Sequence, residues 1–161
     1  MDPAASVNAK QRELWNAQTA DYWVRHKFAL DTLLQPLTDL LLEAADLSGS
    51  EQVADIGCGT GNYAFAMQTL GYEVTGVDAS SEMIEIAKTK LKEKNGKTSG
   101  ISFCCERMEH YENQVKSDAV ICLFFSLCYQ TTEKLIRQSL LGFKEQLNEN
   151  GILIFDFWHK Q

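Results

Sequence analysis

What this chain lacks narrows its chemistry first. No apolar run reaches the roughly 18 residues needed to cross a bilayer, and no charged start leads into an apolar h-region. A soluble, cytoplasmic protein without membrane contact is expected. Cations are scarce: 15 Lys and Arg stand against 22 Asp and Glu, for a net charge of -7. A surface that tracks nucleic-acid phosphates needs clustered Lys and Arg, so nucleic acid is not an expected partner. Lys88, Lys90, Lys92, Lys94 and Lys97 do form a basic run, but Glu85 and Glu93 are interspersed, and a solvated helix face is the expectation. The five cysteines are odd in number and have no Cys-x-x-Cys spacing. Neither a disulfide framework nor a metal site follows, and they read as reduced thiols, mostly small apolar core residues.

What is present concentrates between residues 53 and 63, Val-Ala-Asp-Ile-Gly-Cys-Gly-Thr-Gly-Asn-Tyr. A strand leads to Gly57, three alternating glycines make a tight turn, and a helix-compatible segment starts at Asn62. Such a turn has little side-chain bulk, so a ligand can lie close to the backbone and meet N–H groups at the helix start. Asp78 follows Gly57 by 21 residues, at the end of the next apolar run. A carboxylate at the tip of a second strand is placed to accept both ribose hydroxyls of an adenosine-type cofactor.

The dinucleotide fingerprint needs a third glycine where this chain has Asn62, and Asp55 sits two residues before the turn. A carboxylate there repels a pyrophosphate and attracts an ammonium or sulfonium group. S-adenosylmethionine carries both cations and no phosphate. A nicotinamide-dependent oxidoreductase would use a similar turn, but these two departures weigh against it.

Asp-Ile-Gly-Cys-Gly-Thr-Gly and the stretch from Val74 to Lys88 resemble the first two motifs of the class I S-adenosylmethionine-dependent methyltransferases. The likeness runs from about residue 11 to 161 and is nearest to the small-molecule branch in Phe-Phe-Ser-Leu-Cys-Tyr and Phe-Asp-Phe-Trp. It implies that Gly57, Cys58, Gly59 and Gly61 line the methionine part of the cofactor, with Asp55 countering its ammonium group. Asp78 and Ala79 then meet the ribose. Met83 either lies against adenine or is simple core, since it also sits on a helical apolar stripe. Glu106 stands where relatives usually carry Asp, and Arg107 offers its backbone N–H to adenine. Leu123 and Phe124 flank the sulfonium, or only pack. Near the start, Trp15, Tyr22 and Trp23 resemble helices that close over the cofactor, with Tyr22 reaching its carboxylate. Asp55 and Asp78 also have bland readings, as a loop-ordering carboxylate and a helix cap.

The reaction implied is transfer of a methyl group to N or O of a small molecule, leaving S-adenosylhomocysteine. No Asn-Pro-Pro-Tyr or Asp-Pro-Pro-Tyr follows the fourth strand, which disfavours adenine and glutamine amides as acceptors. Candidates for a base are Tyr129, His159 and His110.

Apolar spacing predicts helix from about residue 8 to 46, with a break at Pro36, and then alternating strands and helices. Strands are expected at 52–56, 72–77, 101–104, 119–123 and 152–157, and helices at 62–70, from Ser80 or Ser81 to Asn95, and at 132–147. This order implies a doubly wound, Rossmann-like parallel sheet in three α/β/α layers. Residues 1–48 form a helical cap segment and 49–161 the cofactor-binding domain, one structural unit. Relatives continue past the fifth strand, so that sheet edge is expected to be open, or covered by the N-terminal helices or by another copy of the chain in a homodimer. The other reading this allows is a non-catalytic module that binds the cofactor or a partner.

Overall fold

The structure, a computed structural model, describes residues 47–94 and 99–157 together with positions 36, 39, 40 and 43. Most of the segment expected to be helical from about residue 8 to 46, with Trp15, Tyr22 and Trp23, lies outside the described residues, as do His159 and Lys97. So does nearly all of the cap segment 1–48.

Strand β1, Gln52–Ile56, is almost wholly buried because it is the centre of the sheet. It pairs in parallel with β2, Glu73–Asp78, on one side and β4, Ser117–Cys122, on the other. Strand β3, Ile101–Cys105, and β5, Leu147–Phe155, form the edges, giving the order β3-β2-β1-β4-β5. All four pairings are parallel.

Helices α1, Asn62–Thr69, and α2, Ser81–Glu93, cover one face. There Val53, Val74, Phe103, Ala119 and Ile121 pack with Ala64, Phe65, Met67, Ile84 and Ala87. Helix α3, Glu133–Gln146, covers the other face, where Phe143 meets Ala54, Ile56, Val77, Val120 and Cys122. Burying one side chain of Phe or Ile size contributes about 1.5–3 kcal/mol, so these two clusters supply the main cohesion of the layers.

Local chemistry sets the element ends. Gly71, at φ +107°, ends α1: its N–H donates to Gln68 O at 3.1 Å, and Tyr72 N–H to Met67 O at 3.3 Å. This is the paired bonding of a glycine-terminated helix. Ser80 caps α2 by accepting from Met83 N at 3.2 Å, and Thr132 caps α3 by accepting from Leu135 N at 3.3 Å.

The fifth strand begins earlier than the expected 152. Leu147 pairs with Ser117 as soon as α3 ends; the register then jumps, so that Ala119 faces Ile152. The Asn-Glu-Asn-Gly turn, with Asn150 at φ +66°, lies inside the strand rather than before it, and Asn148 Nδ2 donates to Asp118 Oδ1 at 2.7 Å.

The cysteines also depart from expectation. Only Cys122 is buried; Cys104, Cys105 and Cys128 are exposed and Cys58 is half-buried. Cys104 and Cys105 are exposed because β3 is an edge strand.

Candidate functional site

The chain passes from β1 through α1 to β2 on one side, while β4 lies on the other, so the strand order reverses at β1. In open parallel sheets, ligands bind beyond the carboxyl ends of the strands at such a reversal. That edge collects Gly57 to Gly61 after β1, Asp78 at the end of β2, Glu106 and Arg107 after β3, Leu123 and Phe124 after β4, and Asp156 after β5. Sequence positions spanning a hundred residues thus meet along one rim.

The glycine turn needs its glycines. Gly57, Gly59 and Gly61 have φ of +78°, +54° and +80°. A Cβ on Gly57 would lie 2.4 Å from Ser126 Oγ, and one on Gly61 would lie 2.6 Å from Phe103 Cζ. A Cβ on Gly59 would meet nothing within 4 Å, so Gly59 is the glycine that faces open space.

The turn's N–H groups, however, point inward. Gly57 and Cys58 both donate to Val77 O, at 2.7 and 3.0 Å, and Gly61 to Cys58 O at 2.9 Å. Gly59 donates to Asp78 Oδ2 at 2.9 Å. These bonds have a physical consequence. An anion cradle needs free N–H donors, and these four are committed to the neighbouring strand, to a carboxylate and to the turn's own Cys58 carbonyl. The turn thus offers a ligand its shape, with open space at Gly59, rather than these four donors.

Asp55 supplies the charge. It is 4% exposed, on the α1 side of β1, and its carboxylate accepts from Ala64 N–H at the start of α1. Gly61, the residue before that helix, has no side chain to cap it, so Asp55 does so from below. Asp55 Oδ2 has no hydrogen-bond partner among the described residues. Burial, with the charge of Asp78 added, pushes its pKa from 3.8 to about 7. Burial also raises Asp78, against the pull of the Ser80 and Gly59 N–H groups. The Cys58 thiol is raised well above its usual value by burial and then by both carboxylates. An orphaned, desolvated acceptor beside a second carboxylate is a site for a cation.

Asp78 is fixed by its two backbone donors, Gly59 N to Oδ2 and Ser80 N to Oδ1 at 2.8 Å. Each oxygen keeps further lone-pair capacity. Ser80, not Asp78, caps α2. Met83 is 2% exposed, in the packing beneath that helix. Glu106 N–H donates to Asp78 O at 3.0 Å, and Glu106 Oε1 accepts from Arg107 N at 2.8 Å, so the Arg107 amide is engaged by its neighbour. Leu123 is buried, while the half-buried Phe124 ring rests 5.0 Å from that of Tyr63 in the first turn of α1. Ala79 is exposed beside Asp78; Tyr129, in the 3₁₀ turn Ser126–Tyr129, and His110 are also exposed.

Two contributors were not legible beforehand. Lys90, counted in the solvated run, instead reaches from α2 to the glycine turn, donating to Thr60 O at 2.9 Å, Thr60 Oγ1 at 2.8 Å and Asn62 Oδ1 at 3.0 Å. Lys94 lies 4.4 Å over the Phe65 ring. Nothing in five lysines at near-alternate positions marks which one turns inward. Asp156 binds the Phe124 and Phe125 amides at 3.1 and 2.7 Å. The available signal was an acidic residue directly after the apolar run Ile152 to Phe155. Among the described residues no cluster of three His, Cys, Asp or Glu side chains is placed to hold a metal ion, and no helix is long and apolar enough to cross a membrane.

A glycine turn at a strand-order reversal, with a carboxylate at the second strand tip, defines a Rossmann-like α/β domain of the kind that holds nucleoside cofactors at this rim. Within that class the particular family follows from comparison: residues 53–151 match the family described as methyltransferase domain, and the chain belongs to it. A methyltransferase of Geobacillus sp. (strain WCH70) is 35% identical over 108 residues, 67% of this chain and 42% of that protein. The chain spans less than half the length of each of three curated relatives it matches. The fold also matches magnesium protoporphyrin IX methyltransferase from Synechocystis PCC 6803 with bound SAM, at TM-score 0.73, 20% identity, and coverage of 92% of this chain and 75% of that one. An amino pentose methyltransferase from Micromonospora echinaspora, also SAM-bound, matches at TM-score 0.64 and 23% identity, over 80% of this chain and 50% of that one.

Proposed function

We propose that the chain is the cofactor-binding part of a class I methyltransferase that uses S-adenosylmethionine to methylate N or O of a small molecule. The observation that carries this reading is the buried Asp55 Oδ2, unpartnered among the described residues beneath the glycine turn. The ammonium of the cofactor's methionine part satisfies it. Asp78 receives the ribose hydroxyls on its remaining lone pairs, Gly59 leaves room for the methionine chain, and Cys58 and Ala79 line the same edge. Glu106 and Arg107 flank adenine; Leu123 and Phe124 wall the sulfonium and exclude water.

The cofactor supplies a methyl group already activated on sulfur, so alignment and dryness are the protein's main tasks. Tyr129, exposed just past β4, is the candidate to take a proton from an acceptor that carries one. The names of relatives that act on ubiquinone precursors, glycine and amino sugars support a small-molecule acceptor. Three exposed thiols outside any disulfide, Cys104, Cys105 and Cys128, support a reducing, cytoplasmic setting.

Calorimetric titration with S-adenosylmethionine and S-adenosylhomocysteine tests the reading. Both should bind, and Asp78→Ala should weaken them about 100-fold, the loss of about 2.7 kcal/mol in charge-assisted hydrogen bonds. Binding of NADH in place of either ligand, or unchanged affinity in the variant, would overturn it.

A further inference from the structure

The backbone just past β4 has an unusual shape. Phe124 and Phe125 have φ of +57° and +60°, the left-handed region, in succession. Crowding between Cβ and the carbonyl oxygen disfavours this region for L residues, and for bulky side chains it is a genuine outlier. Such a conformation persists only where surrounding groups over-determine it.

One carboxylate does so here. Asp156 Oδ2 accepts from Phe124 N at 3.1 Å and Oδ1 from Phe125 N at 2.7 Å, so the two amides share a single chelating side chain. The chelator is itself anchored. Cys122 pairs with Phe155, and Asp156 N–H continues toward Cys122 O at 3.4 Å, which holds the β5 end in register beside the β4 end.

The turn positions two parts of the rim. It brings the Phe124 ring onto Tyr63, one residue into the helix that begins at the glycine turn. It also starts the 3₁₀ segment in which Ser126 Oγ donates to Leu123 O at 2.7 Å, and Ser126 is the side chain that abuts Gly57. A single carboxylate on β5 thereby sets the wall contributed by β4 against the turn contributed by β1.

We propose that Asp156 is a positioning residue: by chelating the Phe124 and Phe125 amides it holds their left-handed turn, so that Phe124 and Ser126 close the cofactor rim against Tyr63 and Gly57. This role rests on the cofactor reading above for its functional consequence, but not for its structural one.

The experiment is a cycle of Asp156→Ala, Phe125→Gly and the double variant, with Asp156→Asn as the milder change. Glycine adopts positive φ without penalty, so at position 125 it relieves one of the two strained residues and lessens the need for the chelator. Amide exchange is read first, without any ligand. The Phe124 and Phe125 amides should exchange slowly in the parent protein and about tenfold faster in Asp156→Ala, with the β4 amides unchanged. Affinity for S-adenosylhomocysteine is read second. Asp156→Ala should weaken it about tenfold in the parent, and less than about threefold in the Phe125→Gly background. Asp156→Asn, which keeps one acceptor oxygen, should fall between.

Equal weakening in both backgrounds would overturn the proposal, as would amide exchange that ignores Asp156. If Asp156→Ala does not fold, the Asn variant and its combination with Phe125→Gly carry the same cycle. If the parent binds no S-adenosylhomocysteine, the cofactor reading fails. The exchange data and the coupling between Asp156 and Phe125 in thermal stability then still decide the positioning role.

Discussion

Asp55→Asn is expected to stabilise the protein at pH 8 while weakening its affinity for S-adenosylmethionine about 100-fold, about 2.7 kcal/mol. The two effects have one cause. Asp55 keeps its proton to about pH 7 in the folded chain, whereas the unperturbed group releases it near 3.8. A raised carboxylate pKa means that the folded state binds the proton more tightly than the unfolded state. Stability is therefore full below about pH 4, falls as pH rises, and reaches its minimum contribution above about 7. The shift corresponds to an upper bound on the order of 4 kcal/mol.

Asn keeps an oxygen for the Ala64 N–H and carries no charge to desolvate, but its buried amide N–H group offsets part of the gain. A net gain of about 1–3 kcal/mol at pH 8 is expected, a rise of several degrees in melting temperature, with little change at pH 5. In the parent protein, cofactor affinity should climb with pH up to about 7, because below that value binding must displace the Asp55 proton. Calorimetric melting at the two pH values, with titrations from pH 5.5 to 8, checks all three statements. A melting temperature that drops equally at both pH values, or undiminished binding, would show that Asp55 is only the cap of α1.

Gly61→Ala should cost about 3 kcal/mol of stability, whereas Gly59→Ala should cost about 1 kcal/mol and act mainly on binding. Both glycines have positive φ, so both variants bear the conformational penalty. Only Gly61 adds a clash. Its new Cβ would lie 2.6 and 2.8 Å from Phe103 Cζ and Cε1, and 3.3 Å from Phe65 Cε2. The Phe103 ring has no retreat, because the same ring already packs against Gly76, where a Cβ would come within 2.6 Å of it, and lies 5.4 Å from Phe65. Gly59 faces open space, so its added methyl intrudes on a ligand rather than on the core. Urea midpoints and cofactor titrations of the two variants should show this crossed pattern. Equal loss of stability in both would mean that the Phe103 plug yields, and the packing argument would be wrong.

Most of the architecture was legible from the chain because it rests on short-range rules. The glycine turn, Ser80 as a cap and the stop at Gly71 are each set by a few neighbouring residues. The alternation of apolar strands with apolar-striped helices then implied the parallel sheet. Where the reading went astray, a long-range contact had outweighed local pattern. Cys104 and Cys105 look like buried strand residues until β3 proves to be an edge. Lys90 looks solvated until α2 is laid beside the glycine turn.

The candidate site divides in the same way. Sequence by itself determined the chemical inventory: which glycines permit the turn, and that Asp55 and Asp78 would stand one strand apart at its base. Only the tertiary structure decided how those groups are charged and held. Desolvation of Asp55, the proximity of a second carboxylate and the chelation of Phe124 and Phe125 by Asp156 arise from residues brought together across 23 to 32 positions of chain. Burial and electrostatic coupling depend on distance in space, which periodicity along a chain does not encode, whereas turn and helix geometry depend on adjacent backbone, which it does.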